Sequence, residues 1–111
     1  MGTQLYVCKT HKVDYESVGL YHNPDFFFSF LRDMCESLGI CCYVDDANTG
    51  AELPSSAVEP IREWLAGKGD DDVIPDPPNV WKVTYGKMRE VFEAMFAGYD
   101  KDNSYIRIEW F

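Results

Sequence analysis

Residues 23–39 read NPDFFFSFLRDMCESLG, and the reading of this stretch decides the fold. Asn23 suits a helix N-cap, Pro24 the first helical position and Asp25 the positive end of the helix dipole, while Gly39 suits a left-handed stop. Between them Phe27, Phe30, Leu31, Met34 and Leu38 recur at i, i+3, i+4, i+7 and i+11, which is one helical face. At about 100° per residue, Cys35 and Phe28 widen that face to roughly 160° of arc, and Phe26 lies off its other edge. The spacing predicts a helix over 24–38 whose apolar face the rest of the chain must cover. Phe26 and Phe28, at the margins of that face, are natural residues for self-association.

Working outward, residues 4–10 (QLYVCKT) alternate and are rich in strand formers, and 13–18 (VDYESV) alternate well enough to pair back on them. After Gly39, residues 40–44 (ICCYV) form a short apolar run of the kind found in interior strands. If that strand lay parallel to the first, the helix between them would make a right-handed crossover. Residues 45–54 (DDANTGAELP) read as a turn-rich loop. Ser56-Ala57-Val58-Glu59 fits a capping box for a short helix over 57–66, with Gly67 as its stop. Residues 67–79 (GKGDDDVIPDPPN) read as an exposed loop of Asp, Gly and Pro, and 80–83 as a brief extended lead-in. Thr84 caps a third helix over 85–97, on which Tyr85, Met88, Val91, Phe92, Met95 and Phe96 share a face. Residues 104–111 (SYIRIEWF) alternate as a strand, with Ile106, Ile108 and Trp110 on one side. The expected architecture is α+β: a single domain, 1–111, with a small mixed or antiparallel sheet of three to five strands and about three helices packed on it.

Composition supports a packed core. Of the 111 residues, 46% are hydrophobic and 15% aromatic, more than a disordered chain carries. No apolar run approaches the ~18 residues of a membrane span, so no membrane contact is expected. MGTQLYVCKT lacks the basic and apolar regions of a signal peptide, and Tyr6 breaks the myristoylation pattern after Gly2. Cys8, Cys35, Cys41 and Cys42 each sit in apolar surroundings, which together with the absent export signal predicts buried free thiols and the cytoplasm.

The net charge of −9 is unevenly spread: residues 24–39 contribute −2, 40–54 contribute −3 and 70–79 contribute −4. An acidic chain of this kind lacks the basic footprint that direct binding to a nucleic-acid backbone requires.

Three kinds of chemistry can be weighed from the residues. Cys8 and His11 form a C-x-x-H pair, but a closed zinc site wants two such pairs, and adjacent Cys41 and Cys42 on a strand point to opposite faces. Asp100, Asp102 and Ser104 match positions 1, 3 and 5 of an EF-hand loop, yet Tyr105 stands where Gly is needed and Phe111 where Glu is needed. With only His11 and His22 as bases, and no phosphate-binding or metalloprotease motif, no catalytic constellation is legible. The expectation is no cofactor, no metal and no enzymatic activity.

What remains is surface charge. Asp45, Asp46 and Glu52 in one loop, and Asp70, Asp71, Asp72, Val73, Ile74 and Asp76 in the other, are the candidate partner-binding residues. They predict a small acidic binding protein that inhibits or neutralises a protein partner with a basic surface, of the toxin-immunity or phage anti-defence (anti-CRISPR) type, in one version by mimicking nucleic-acid phosphates. The alternative is a small Cys/His-dependent metal-binding or enzymatic domain built on Cys8, His11 or Cys35.

Overall fold

The computed structural model describes residues 4–10, 14–21, 24–45, 49–75 and 82–110. In chain order these form β1 (Gln4–Thr10), β2 (Asp14–Tyr21), α1 (Pro24–Leu38), β3 (Tyr43–Val44), β4 (Gly50–Pro54), a 3-10 turn over Ser55–Ala57, α2 (Val58–Ala66), α3 (Tyr85–Gly98) and β5 (Tyr105–Trp110). The strands make one sheet in the order β2-β1-β5-β4-β3, and every neighbouring pair is antiparallel. The fold is thus α+β, with five antiparallel strands, three α-helices and no parallel crossover among the described residues.

Alternation builds the sheet. Leu5 and Val7 of β1, Val18 and Leu20 of β2, Ala51 and Leu53 of β4, and Ile106, Ile108 and Trp110 of β5 are buried. The intervening Ser17 and Tyr105 are exposed, and Tyr6, Glu52, Arg107 and Glu109 are partly so. Such two-faced strands suit an antiparallel sheet with helices on one side and water on the other. A bulge interrupts β1–β2 between the Gln4↔Tyr21 and Tyr6↔Ser17 pairs, and Gly19 within it has φ +84°, a conformation that only glycine adopts without strain.

The helix over 24–38 forms with the expected bounds, and Gly39 ends it at φ +69° while Ile40 N–H bonds back to Cys35 O at 2.8 Å. Its expected cap, Asn23, lies outside the described residues. The helix is covered far beyond one face. Phe27 packs on Phe92 and Trp110, with ring centres 6.0 and 6.1 Å away, and Phe30 meets Trp64 at 5.9 Å. Phe26 and Phe28, expected at exposed margins, are 1% and 0% exposed. Phe26 stacks on Phe30 and Phe28 lies edge-on to Trp110. Neither is available for self-association, because both rings are buried within the core.

Four further expectations are corrected. Residues 40–44 do not make an interior strand: only Tyr43–Val44 is extended, at the sheet's edge, with Tyr43 58% exposed. Ile40 and Cys42 instead pack against the core beneath. The stretch expected as a loop contains β4, an inner strand paired along its whole length with β5. The expected capping box does not form, since Ala57 is the residue at the start of α2 and no side chain caps it. Lys82 and Val83 are not strand, and Val80 and Trp81 lie outside the described residues. Thr84 does cap α3, its hydroxyl accepting a hydrogen bond from Lys87 N–H at 3.1 Å.

Candidate acidic interaction site

The acidic turn at 69–73 is strapped to the start of α3. A helix begins with backbone N–H groups that have no partner inside it. Here Tyr85 N–H donates to Asp72 O at 3.0 Å and Gly86 N–H to Asp70 O at 3.1 Å. Val73 pairs with Thr84 as an isolated bridge, and Ile74 N–H bonds Val83 O at 3.0 Å. The Ile74 side chain is 1% exposed. It is a core anchor, not a contact residue, and its burial holds one end of a segment whose composition reads as exposed throughout.

Arg89 holds the other end. Its Nη2 donates to Leu65 O at 2.6 Å and Lys68 O at 2.9 Å, just where α2 ends, and its Nη1 pairs with the Asp70 carboxylate. Positive charge at a helix C-terminus is favourable, so one guanidinium closes α2 and fixes the turn that opens α3.

These contacts leave a groove of about 580 Å³ beside α3. Four carboxylates, of Asp70, Asp71, Glu90 and Glu93, line it against the cations of Lys87 and Arg89. Two carboxylates are already committed: Asp70 to Arg89, and Glu93 to Arg62, which holds it at 2.9 Å and reaches Glu59 at 3.0 Å. Glu93 and then Glu59 raise the pKa of Arg62 against its own desolvation. Asp71, Asp72 and Glu90 are exposed and make no side-chain ion pair or hydrogen bond among the described residues. Val73 beside them is 48% exposed. In the sequence Glu90 reads only as one of the solvent-facing residues of α3, because a charged residue on the polar face carries no functional signal of its own.

The second acidic segment does not join this site. Asp45 and Glu52 line a separate hollow of about 110 Å³ with Tyr43 and Arg107, at the β3–β4 end of the sheet. The Asp45 carboxylate accepts from Thr49 N–H at 2.8 Å and from its hydroxyl at 2.7 Å, so it is already engaged. Glu52, on β4, faces Arg107 at 3.4 Å. Burial alone would lower the pKa of Arg107, but Glu109, a hydrogen bond to Tyr15, and Glu52 raise it on balance. Asp46 and Asp76 lie outside the described residues.

Of the residues considered for metal or catalytic chemistry, His11 and His22 lie outside the described residues. Cys35 is buried, Cys41 exposed and Cys42 between the two. Among the described residues no three His, Cys, Asp or Glu side chains converge as metal ligands would. At 100–103, Asp100 accepts from Asp102 N–H at 3.0 Å and from the Asn103 amide at 2.7 Å, as a helix-to-strand turn does. The ammonium of Lys101 fills the space over the end of α3, donating to Phe96 O, Tyr99 O and Ala97 O. No described helix is long and apolar enough to cross a membrane.

No protein-family model, no curated protein and no solved structure matches this chain. The functional reading therefore rests on its own residues.

Proposed function

We propose that the chain is a small acidic binding protein that docks on a basic surface of a protein partner and neutralises or inhibits it. Asp71, Asp72 and Glu90 supply the charge and Val73 an apolar contact. The observation that carries the reading is that the acidic turn is fixed by α3, Arg89 and Ile74 while these three carboxylates make no ion pair or hydrogen bond among the described residues. A surface already ordered before contact loses little conformational entropy on binding, and its net negative field steers a cationic partner. The same arrangement suits the phosphate-mimicking version, in which the carboxylates occupy a groove that otherwise holds nucleic acid. A cytoplasmic inhibitor of the immunity or phage anti-defence type fits this surface.

The test is affinity retention from host lysate across a salt series, with wild type beside Asp71→Asn/Asp72→Asn/Glu90→Gln. The partner should elute earlier as salt rises, and the triple variant should bind it at least tenfold more weakly. Retention that ignores both salt and the substitutions refutes the proposal, and Asp45→Asn, at the separate hollow, serves as the control. Competition between the chain and nucleic acid for the captured partner decides for or against mimicry.

A further inference from the structure

A second feature of the molecule belongs to neither the acidic turn nor the sheet's outer face. The left-handed turn at Gly39 folds the chain back under the end of α1, so that Cys35 and Cys42 line one crevice with Arg32, Glu36, Ile40 and Val44. Cys42 lies close enough to Cys35 to act on its ionisation. Cys35 is 1% exposed, Cys42 is half-buried at the crevice wall, and Cys41 next to it is exposed. Residues 40–42 belong to no strand, so a disulfide at Cys42 breaks no strand ladder.

We propose that Cys35 and Cys42 are a peroxide-sensitive thiol pair, which a disulfide closes between the end of α1 and the segment leading into β3. The order of events follows from access and from acidity. Burial first, and then the neighbouring Cys42, push the Cys35 thiol up to about 12, so Cys35 does not supply the first nucleophile. Cys42 meets solvent through the crevice. Its thiolate sulfur attacks one oxygen of hydrogen peroxide, the O–O bond breaks, and the departing hydroxide takes up the thiol proton as water. Cys42 is then a sulfenic acid. The Cys35 sulfur, losing its proton, attacks the Cys42 sulfur; the S–O bond breaks and the hydroxide leaves with that proton as a second water. Two thiols are oxidised and one peroxide is reduced to two waters. The adjacent thiol captures the sulfenic acid before further oxidation, as a resolving cysteine does. The closed loop spans residues 35–42 and ties α1 to the segment that leads into the edge strand β3.

Peroxide titration of the intact chain, read by mass spectrometry after cleavage at glutamate, tests this. Cleavage after Glu36 and Glu52 places the two cysteines on different peptides, so the bond appears as a linked pair that dithiothreitol separates. The Cys41→Ser variant removes the exposed competitor. It should form the same link, lose two titratable thiols per monomer and gain about 5 °C or more in Tm on oxidation. A link through Cys8 or Cys41, over-oxidation of Cys42 with Cys35 still a thiol, an unreacted Cys42, or a Tm that does not rise overturns the proposal.

Discussion

Replacing Arg89 by methionine should loosen the acidic turn without unfolding the protein, and the size of the effect can be worked from the geometry. The guanidinium makes two charge-assisted hydrogen bonds to backbone, to Leu65 O at 2.6 Å and Lys68 O at 2.9 Å. Each such bond contributes about 1.5–3 kcal/mol when shielded from water. The side chain is 29% exposed, which places these two at the lower end, about 3 kcal/mol together. The ion pair with Asp70 adds little, because that carboxylate is 74% exposed and such pairs contribute ~0–1 kcal/mol. Against this, Arg89 Nε is buried with no hydrogen-bond partner among the described residues. Methionine removes that donor and returns about 1 kcal/mol, while keeping the packing of the stem. The net cost is about 2 kcal/mol, roughly a 30-fold change in the folding equilibrium. In urea the midpoint should fall by about 1 M at an unchanged slope of ~2 kcal/mol per M. Hydrogen exchange localises the effect: the Tyr85 and Gly86 amides, bonded to the turn, should exchange faster in the variant. Asp70→Asn should cost under ~1 kcal/mol. An Arg89→Met loss below ~0.5 kcal/mol, or an Asp70→Asn loss as large as that of Arg89→Met, would refute the backbone-clamp account.

Three further outcomes are expected. Gly86→Ala should destabilise by about 1–3 kcal/mol and free the turn in the same exchange experiment, because a Cβ there would lie 2.7 Å from Asp70 O, a backbone atom with little room to yield. Phe27→Ala should cost about 3–5 kcal/mol in chemical denaturation, since its ring is fully buried against Phe28, Phe92 and Trp110; Tyr43→Ala, on the exposed edge strand, should stay within ~0.5 kcal/mol of wild type. Alkaline stability should depend on Cys35. Its folded pKa of about 12 lies above the ordinary value of 9.0, so the unfolded state loses this proton first and stability falls from about pH 9 towards pH 12, by up to ~1.4 kcal/mol per pH unit. Cys35→Ala should flatten that part of the curve, which denaturation at a series of pH values will show.

How far the fold was legible depended on whether a segment's structure is decided locally. Residues 24–38 and 85–98 carry their own periodicity, and Gly39 and Thr84 their own end signals, so both helices could be read from the chain. The alternation in 105–110 likewise survives inspection. Strand β4 does not, because Gly50, Glu52 and Pro54 are poor strand formers in isolation and only pairing with β5 makes them extended. The opposite error occurred at ICCYV, where an apolar run spends its side chains covering the end of α1 and leaves Tyr43 outside. Phe26 and Phe28 show the limit of reading one face of a helix: how wide an arc is buried depends on how many neighbours arrive, and here both flanks are closed. At the candidate site, charge was readable and commitment was not. Nothing local distinguishes Asp71, which is unspent, from Asp70 and Asp45, which are held by Arg89 and Thr49.

The pairing of β1 with β5 has a mechanical consequence. Leu5 stands opposite Trp110, Tyr6 opposite Glu109 and Val7 opposite Ile108, so residues 4 and 110 leave the sheet at the same end of an antiparallel pair. A pulling force applied through these two points would load the rungs one after another, as in opening a zipper, and not all together in shear. The molecule should therefore yield to a smaller force along that axis than along one that loads the rungs together. Machinery that unravels a protein by tugging at its end strands would find an easy entry at the seam that joins the two ends of the sheet's sequence.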